Sequence, residues 1–231
     1  MIAYTGEQTP VAGFFTDFGI PVVDGRGRIV FGGTVHQGPV NEAVFSYGNG
    51  LEVLARPGDR AASGGRFGDF FPSGIDDLGR PGPGTRGVAL VATLEATGAE
   101  QGLFLFSGSR VRALAKSGER LAGEHLVAFG TPALGSSTRT AFVAQLGTGR
   151  RAVVASKRRG ALRIAAREGG STHTRVEGQF TGFAPPSVAN LGPVFRATLN
   201  GPVQEGIFRA MMDVSLVNQG PVTLLLDSRK A

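Results

Sequence analysis

The stretch "GQFTGFAPP", Gly178 to Pro186, sets two phenylalanines three residues apart and then stops at proline. The same figure stands at "GRFGDFFP", Gly65 to Pro72, and at "GFFTDFGIP", Gly13 to Pro21. A fourth copy runs from Leu126 to Phe129, with leucine in the first place. The anchor pairs are therefore Phe15/Phe18, Phe67/Phe70, Leu126/Phe129 and Phe180/Phe183, and Pro21, Pro72, Pro132 and Pro186 follow them in turn. First members lie 52, 59 and 54 residues apart. Periods of this size belong to architectures that stack copies of one supersecondary unit.

Other parts of the unit repeat in register with the anchors. Downstream of each comes a large–small–large alternation: Phe31-x-Gly33-x-Val35, Leu90-x-Ala92-x-Leu94, Phe142-x-Ala144-x-Leu146 and Phe195-x-Ala197-x-Leu199. Alternation at every second residue is the mark of a strand with one buried face. The small central residue suggests close approach by a neighbouring sheet. A third strand is expected at Val44-Phe45, Leu103-Phe104, Val153-Val154 and Ile207-Phe208. Tight turns follow at 47–50, 107–109 and 157–160, and a fourth strand ends at Gly58, Gly118 and Gly169. Glycine in such turns takes positive φ without a steric penalty.

The expected fold is all-β, with four units of about 55 residues, each a four-stranded antiparallel meander. The approximate units are 15–66, 67–125, 126–179 and 180–231 within a single β-repeat domain. The phenylalanines are expected to pack between adjacent sheets, and proline to set the entry of the next strand. Residues 1–14 form a possible closing strand, since Ile2, Ala3 and Gly6 align with Leu54, Ala55 and Gly58. A small β-propeller results if that strand completes the last unit. An open stack of the same sheets, or a fragment of a larger ring, is the alternative. "SLVNQG" at 215–220 also fits the fourth strand and leaves one strand in excess.

Asp24-x-x-Gly27-x-Ile29-x-Phe31 resembles the Asn-x-x-Gly-x-Val-x-Phe signature of a bacterial tandem-repeat family. Gly206-Ile207-Phe208 and Leu54-Ala55-Arg56-Pro57-Gly58-Asp59 resemble two further segments of that family. The likeness implies β-repeats and an exported or surface-anchored setting, and it transfers no catalytic residues. The third unit lacks the signature's Asn and Gly, and the second carries an insertion, "RPGPGTRG".

Composition narrows the classes. Glycine (37) and proline (13) make up about a fifth of 231 residues, against an ordinary share of roughly an eighth, which favours short strands and many turns. There is no apolar run long enough for a transmembrane helix and no visible signal peptide. Cysteine is absent, so disulfides and thiolate metal sites are excluded. His36, His125 and His173 sit at different places in their units, and no metal site or cofactor is expected. Carboxylates recur after the glycine that ends the fourth strand, at Glu7, Asp59 and Glu119. They either cap exposed backbone N–H groups or, in a ring, share a cation.

Charge supplies the one candidate binding surface. The span Arg139–Arg175 holds nine basic residues against Glu168 alone, a net +8 beside +6 for the whole chain. Arg150, Arg151, Lys157, Arg158, Arg159, Arg163 and Arg167 are the candidate ligand-binding residues, suited to a polyanion. A four-strand meander sets Arg150–Arg151 and Lys157–Arg159 at opposite ends. The sequence alone thus points to a non-catalytic binding or scaffold module of an exported bacterial protein, with no catalytic residue assigned. A polyanion binder (nucleic acid or acidic glycan) is the first alternative and a glycan-acting hydrolase the second. The partner is open between a polyanion and another surface protein.

Overall fold

The computed structural model of the chain describes residues 1–70, 80–81, 87–108, 110–135, 139–156, 160–171, 178–189 and 192–200. Every regular element there is a β-strand, and the all-β class holds. The first sheet contains β1 (Phe14–Phe18), β2 (Val22–Val23), β3 (Ile29–His36), β4 (Glu42–Tyr47) and β5 (Leu51–Ala55), in the order β1-β3-β4-β5 with β2 also on β3. The second stretch gives β6 (Arg66–Phe67), β7 (Arg80–Pro81), β8 (Val88–Glu95), β9 (Gln101–Ser107) and β10 (Arg110–Lys116). Their sheet runs β6-β8-β9-β10, while β7 leaves it for the next.

The third sheet holds β11 (Arg120–Leu121), β12 (Glu124–Phe129), β13 (Ala133–Leu134), β14 (Thr140–Leu146), β15 (Arg151–Ser156) and β16 (Leu162–Arg167). Its meander is β12-β14-β15-β16, extended by β11 on β12, β13 on β14, and β7 parallel to β13. Last come β17 (Gln179–Phe183), β18 (Ser187–Ala189), β19 (Gly192–Val194) and β20 (Ala197–Asn200), in which β17 pairs with β20 and β18 with β19. Pro21, Pro132 and Pro186 each stand immediately before a short strand, β2, β13 or β18. Pro72 and the third-strand pair Ile207-Phe208 lie outside the described residues.

The three-residue spacing of the anchors has a physical cause. Strand residues three apart point to opposite faces, because the side-chain period is two. One extra residue in the strand restores them to the same face. Three of the four anchor strands carry such a bulge. Register slips between Phe15 and Asp17, between Leu126 and Ala128, and between Phe180 and Gly182. First anchors consequently pair with Val35, Leu146 and Leu199, and second anchors with Gly33, Ala144 and Ala197. The two rings of an anchor then meet at a tilt, with centroids 5.0 Å apart in Phe15–Phe18, 5.0 Å in Phe67–Phe70 and 5.3 Å in Phe180–Phe183.

The small central residue serves a different purpose from the one expected. A Cβ on Gly33 would lie 2.9 Å from the Phe15 ring and 3.0 Å from the Phe45 ring. It makes room for rings of its own sheet, not for a neighbouring one. Phe31, Leu90 and Phe142 are buried as the alternation predicts. Phe195 is only half-buried and packs its ring against Phe180 and Phe183, at 6.3 and 5.6 Å.

Fourth strands are bulged as well, between Val53 and Ala55, between Ala113 and Ala115, and between Ile164 and Ala166. The bulge turns two consecutive residues toward the next unit. Leu54 and Ala55 thus join the core of the second unit, Leu114 and Ala115 that of the third, and Ala165 and Ala166 that of the fourth. Val30 and Val44 cover Phe67, Phe70, Leu90 and Phe104 together with them. Val91 and Leu103 do the same for Leu126, Phe129 and Phe142. Each sheet therefore lays its anchor face on the outer face of the sheet before it.

Ring closure of a small propeller would fall on residues 201–231, outside the described residues, and the described succession has two ends. The anchor face of the first sheet bears an apolar groove lined by Phe18, Ile29 and Phe31. At the other end Thr181, Arg196 and Thr198 are exposed. Among the described residues the sheets form an open series and not a ring.

Candidate functional site

The recurring carboxylates resolve into turn caps. The four-residue turns Tyr4–Glu7, Arg56–Asp59 and Lys116–Glu119 each close with a 3.2 Å bond from the last N–H to the first carbonyl. Their third residues, Gly6, Gly58 and Gly118, have φ of 86°, 86° and 85°, as a type II turn demands. In each the carboxylate accepts the first residue's N–H: Tyr4 N–H to Glu7 Oε2 at 3.1 Å, Arg56 N–H to Asp59 Oδ2 at 3.1 Å, and Lys116 N–H to Glu119 Oε2 at 3.2 Å. The fourth turn, Arg167–Gly170, has the backbone bond without the cap. Among the described residues no group of three histidines, aspartates or glutamates could hold a metal ion. His125 Nδ1 lies 3.0 Å from the Gly118 carbonyl, in the turn just before it.

The basic candidates do not converge. Arg150, Arg151 and Arg167 lie at one end of the β15–β16 ladder, since Ala152 pairs with Arg167. Arg163 pairs across from Ala155 near the other end. Lys157, Arg158, Arg159, Arg175 and His173 lie outside the described residues. Two of the candidates are already neutralised. Arg151 Nε donates to Glu168 Oε1 at 2.8 Å, and Arg167 Nη1 to Glu124 Oε1 at 3.3 Å. Arg150 and Arg163 are exposed and take no part in an ion pair among the described residues.

Position in the repeat explains Arg151. Its counterparts at the start of the third strand are Glu42 and Gln101, each opposite the strand position held by Gln145 in the third unit. Those two side chains clip one sheet to the next. The Phe70 N–H donates to Glu42 Oε1 at 2.6 Å, and the Phe129 N–H to Gln101 Oε1 at 3.3 Å. Arginine cannot accept such a bond. Instead its guanidinium reaches the fourth unit, where a Cβ on Gly182 would lie 3.1 Å from Arg151 Nη2. The junction before residue 178 thus departs from the two preceding ones.

Hydroxyls in the fourth unit have a structural role. Thr181 Oγ1 donates to Thr198 Oγ1 at 2.9 Å. Thr16 and Thr34 make the same contact at 2.8 Å at the bulge of the first unit. A pair repeated 165 and 164 positions further on in the same register is part of the bulge, not a nucleophile.

The junction at residue 178 is also where the match to a family model begins. A family model described as D-Tyr-tRNA(Tyr) deacylase matches residues 178–227. D-aminoacyl-tRNA deacylases from Nitratiruptor sp. and Halothermothrix orenii are 50% identical over 54 residues and 49% identical over 55. The one from Syntrophobacter fumaroxidans is 53% identical over 55 residues. In each case the aligned stretch is 22% of this chain and 37% of the relative. The chain therefore spans little more than a third of the length of the curated relatives that it matches.

These matches correct the function drawn from composition and repeats. The expectation of a non-catalytic binding or scaffold module of an exported protein gives way to similarity with D-aminoacyl-tRNA deacylases. The alternatives of a purely electrostatic polyanion binder and a glycan hydrolase fall with it. The fourth propeller blade expected at 180–231 coincides with the deacylase match as well. Sequence reasoning missed this because the signal is a specific order of residues across 178–227, with neither periodicity nor a short motif to announce it.

Proposed function

We propose that the chain acts in the deacylation of D-aminoacyl-tRNA, through the segment 178–227. Identity of about half over more than fifty residues to deacylases of three genera supports this. The reaction is hydrolysis of the ester between a D-amino acid and tRNA, giving the free acid and the free hydroxyl. It needs a group that orients water and donors that hold the developing oxyanion. The matched segment offers Asp213, Ser215, Asn218, Thr223 and Asp227 for these tasks, all outside the described residues. Arg150 stands beside the turn that leads into β17, where a Cβ on Gly169 would lie 3.7 Å from its guanidinium carbon. We assign it to a phosphate of the tRNA.

The test is ester cleavage by the purified full chain on D-Tyr-tRNA and L-Tyr-tRNA. Faster release from the D-ester than from the L-ester or from buffer is expected. Alanine at Asn218, Thr223 or Asp213 should lower kcat, while Arg150→Glu should raise KM with kcat kept. Release no faster than in buffer at any protein concentration would overturn the proposal.

A further inference from the structure

Asn49-Gly50 lies in the turn between β4 and β5. Pairing ends with Tyr47 opposite Leu51, so the loop is Gly48, Asn49 and Gly50. One backbone bond spans it, from the Gly48 N–H to the Gly50 carbonyl at 3.3 Å. Asn49 is exposed, and neither its side-chain amide nor the Gly50 N–H makes a hydrogen bond among the described residues. A Cβ added to Gly50 would meet nothing within 4 Å. Cγ of Asn49 is thus free to swing onto the backbone nitrogen that follows it, and glycine offers no side chain to block the approach.

Asp24-Gly25 has the same connectivity and the opposite surroundings. Its carboxylate is buried, accepts the N–H groups of Arg26 and Arg28 at 2.8 and 3.1 Å, and pairs with Arg28 Nε at 3.0 Å. Reaching the Gly25 nitrogen would break those bonds and strand a buried donor. Asn41, Asn190 and Asn218 precede Glu42, Leu191 and Gln219, whose side chains crowd the attacking nitrogen. Asn200-Gly201 is the other Asn-Gly pair of the chain, and its glycine lies outside the described residues.

We infer that Asn49 is a site of spontaneous deamidation in the folded chain. The Gly50 nitrogen gives its proton to solvent base and forms a bond to Cγ of Asn49. The bond from Cγ to Nδ2 breaks, and the amide leaves as ammonia with a proton taken from water. Water then opens the resulting cyclic imide at either carbonyl and leaves aspartate or isoaspartate. The net change is one water consumed and one ammonia released, and the chain's charge of +6 falls by one. Opening at the main-chain carbonyl routes the backbone through the former side chain, lengthening a loop that a single 3.3 Å bond spans. It also presents a free α-carboxylate at an exposed turn, the group that isoaspartyl carboxyl methyltransferases act on. The inference concerns the first sheet and does not rest on the deacylase proposal.

Incubation of the full chain in warm, mildly alkaline buffer, followed by peptide-resolved mass spectrometry, tests it. Conversion of Asn49 to aspartate and isoaspartate is expected, the latter taking a labelled methyl group from an isoaspartyl carboxyl methyltransferase. Asp24 should keep its normal linkage over the same period. Gly50→Val sets a branched side chain beside the attacking nitrogen, in space that is open at the Cβ. It should slow conversion at least tenfold, an added barrier of about 1.4 kcal/mol, at an unchanged thermal midpoint. Asn49→Gln, which must close a larger ring, should remove the reaction at this position. An Asn49 that stays intact in the folded chain, or converts only in urea, would overturn the inference. So would a Gly50→Val chain that deamidates as fast as the parent, because the attacking nitrogen would then not be that of Gly50.

Discussion

At the scale of single residues, the repeat is held by size and by backbone hydrogen-bonding capacity. Gly33 is the tightest instance: Phe15 and Phe45 meet edge to face at 4.8 Å directly over it. The second unit keeps the same ring pair, Phe67 and Phe104 at 4.9 Å, above Ala92. One methyl is therefore tolerated there and a branched side chain is not. Gly33→Ala makes the buried Phe15 and Phe45 rings shift by a few tenths of an ångström and should cost up to about 1 kcal/mol, and Gly33→Val should cost about 1–3 kcal/mol by forcing the rings off their rotamers. In a chain of this size that lowers the thermal midpoint by roughly 2–4 °C per kcal/mol, readable by calorimetry. Equal midpoints for the Val variant and the parent would show that the rings have space the geometry denies them. Asp24 illustrates the second kind of constraint. Its buried carboxylate accepts the N–H groups of Arg26 and Arg28 at 2.8 and 3.1 Å and pairs with Arg28 Nε at 3.0 Å, while Gly27 turns the chain at φ 79°. The signature Asp-x-x-Gly is thus a turn that feeds β3, and its chemistry is structural.

At the scale of strands, the bulge decides which face each anchor serves. Val127 is the first of the two residues between Leu126 and Phe129, is 38% exposed, and lies where the β12–β14 register slips. Deleting it returns the strand to strict alternation and throws Phe129 to the far side of the sheet. The loss should resemble truncation of a buried phenylalanine, about 3–5 kcal/mol, whereas Val127→Ser should stay within roughly 0.5 kcal/mol. Urea unfolding of both variants separates the cases, and a deletion as mild as the serine change would refute the role given to the bulge. The strands themselves were legible in the sequence, because a period of two and glycine-ended turns are local signals. The bulge was implied by Phe-x-x-Phe but not stated by it, since spacing alone does not say which residue is extra. The purpose of Gly33 was misjudged because sequence gives the size of a residue and not the direction from which its neighbour comes. Glu7, Asp59 and Glu119 left two roles open, and only the 3.1–3.2 Å bonds to backbone N–H groups decide between them. The expected division of the basic residues between two ends of a meander turns on Lys157–Arg159, which lie outside the described residues, and the pairing of Arg151 with Glu168 and of Arg167 with Glu124 depends on neighbours brought by the fold.

At the scale of the whole molecule, stability is passed between adjacent sheets. Each unit touches chiefly the one before and the one after, so burial depends on having both neighbours. The second sheet is covered on its anchor face by Val30, Val44 and Ala55 and on its outer face by Leu126, Phe129 and Phe142. The third is covered by Val91, Leu103 and Ala115 on one side and by Phe180, Phe183 and Ala197 on the other. The first sheet has its anchor face open at the groove beside Ile2 and Ala3. Local opening is easiest where least apolar surface must be exposed, and hydrogen exchange reports that opening amide by amide. Equivalent positions make the comparison clean, because Val44, Leu103 and Val153 sit in the same register of β4, β9 and β15. The amides of Leu103 and Val153 should exchange more slowly than that of Val44, and β8 and β14 more slowly than β3. If all three sheets instead exchange at one common rate, the chain opens only as a whole, and coverage by neighbours does not set local stability.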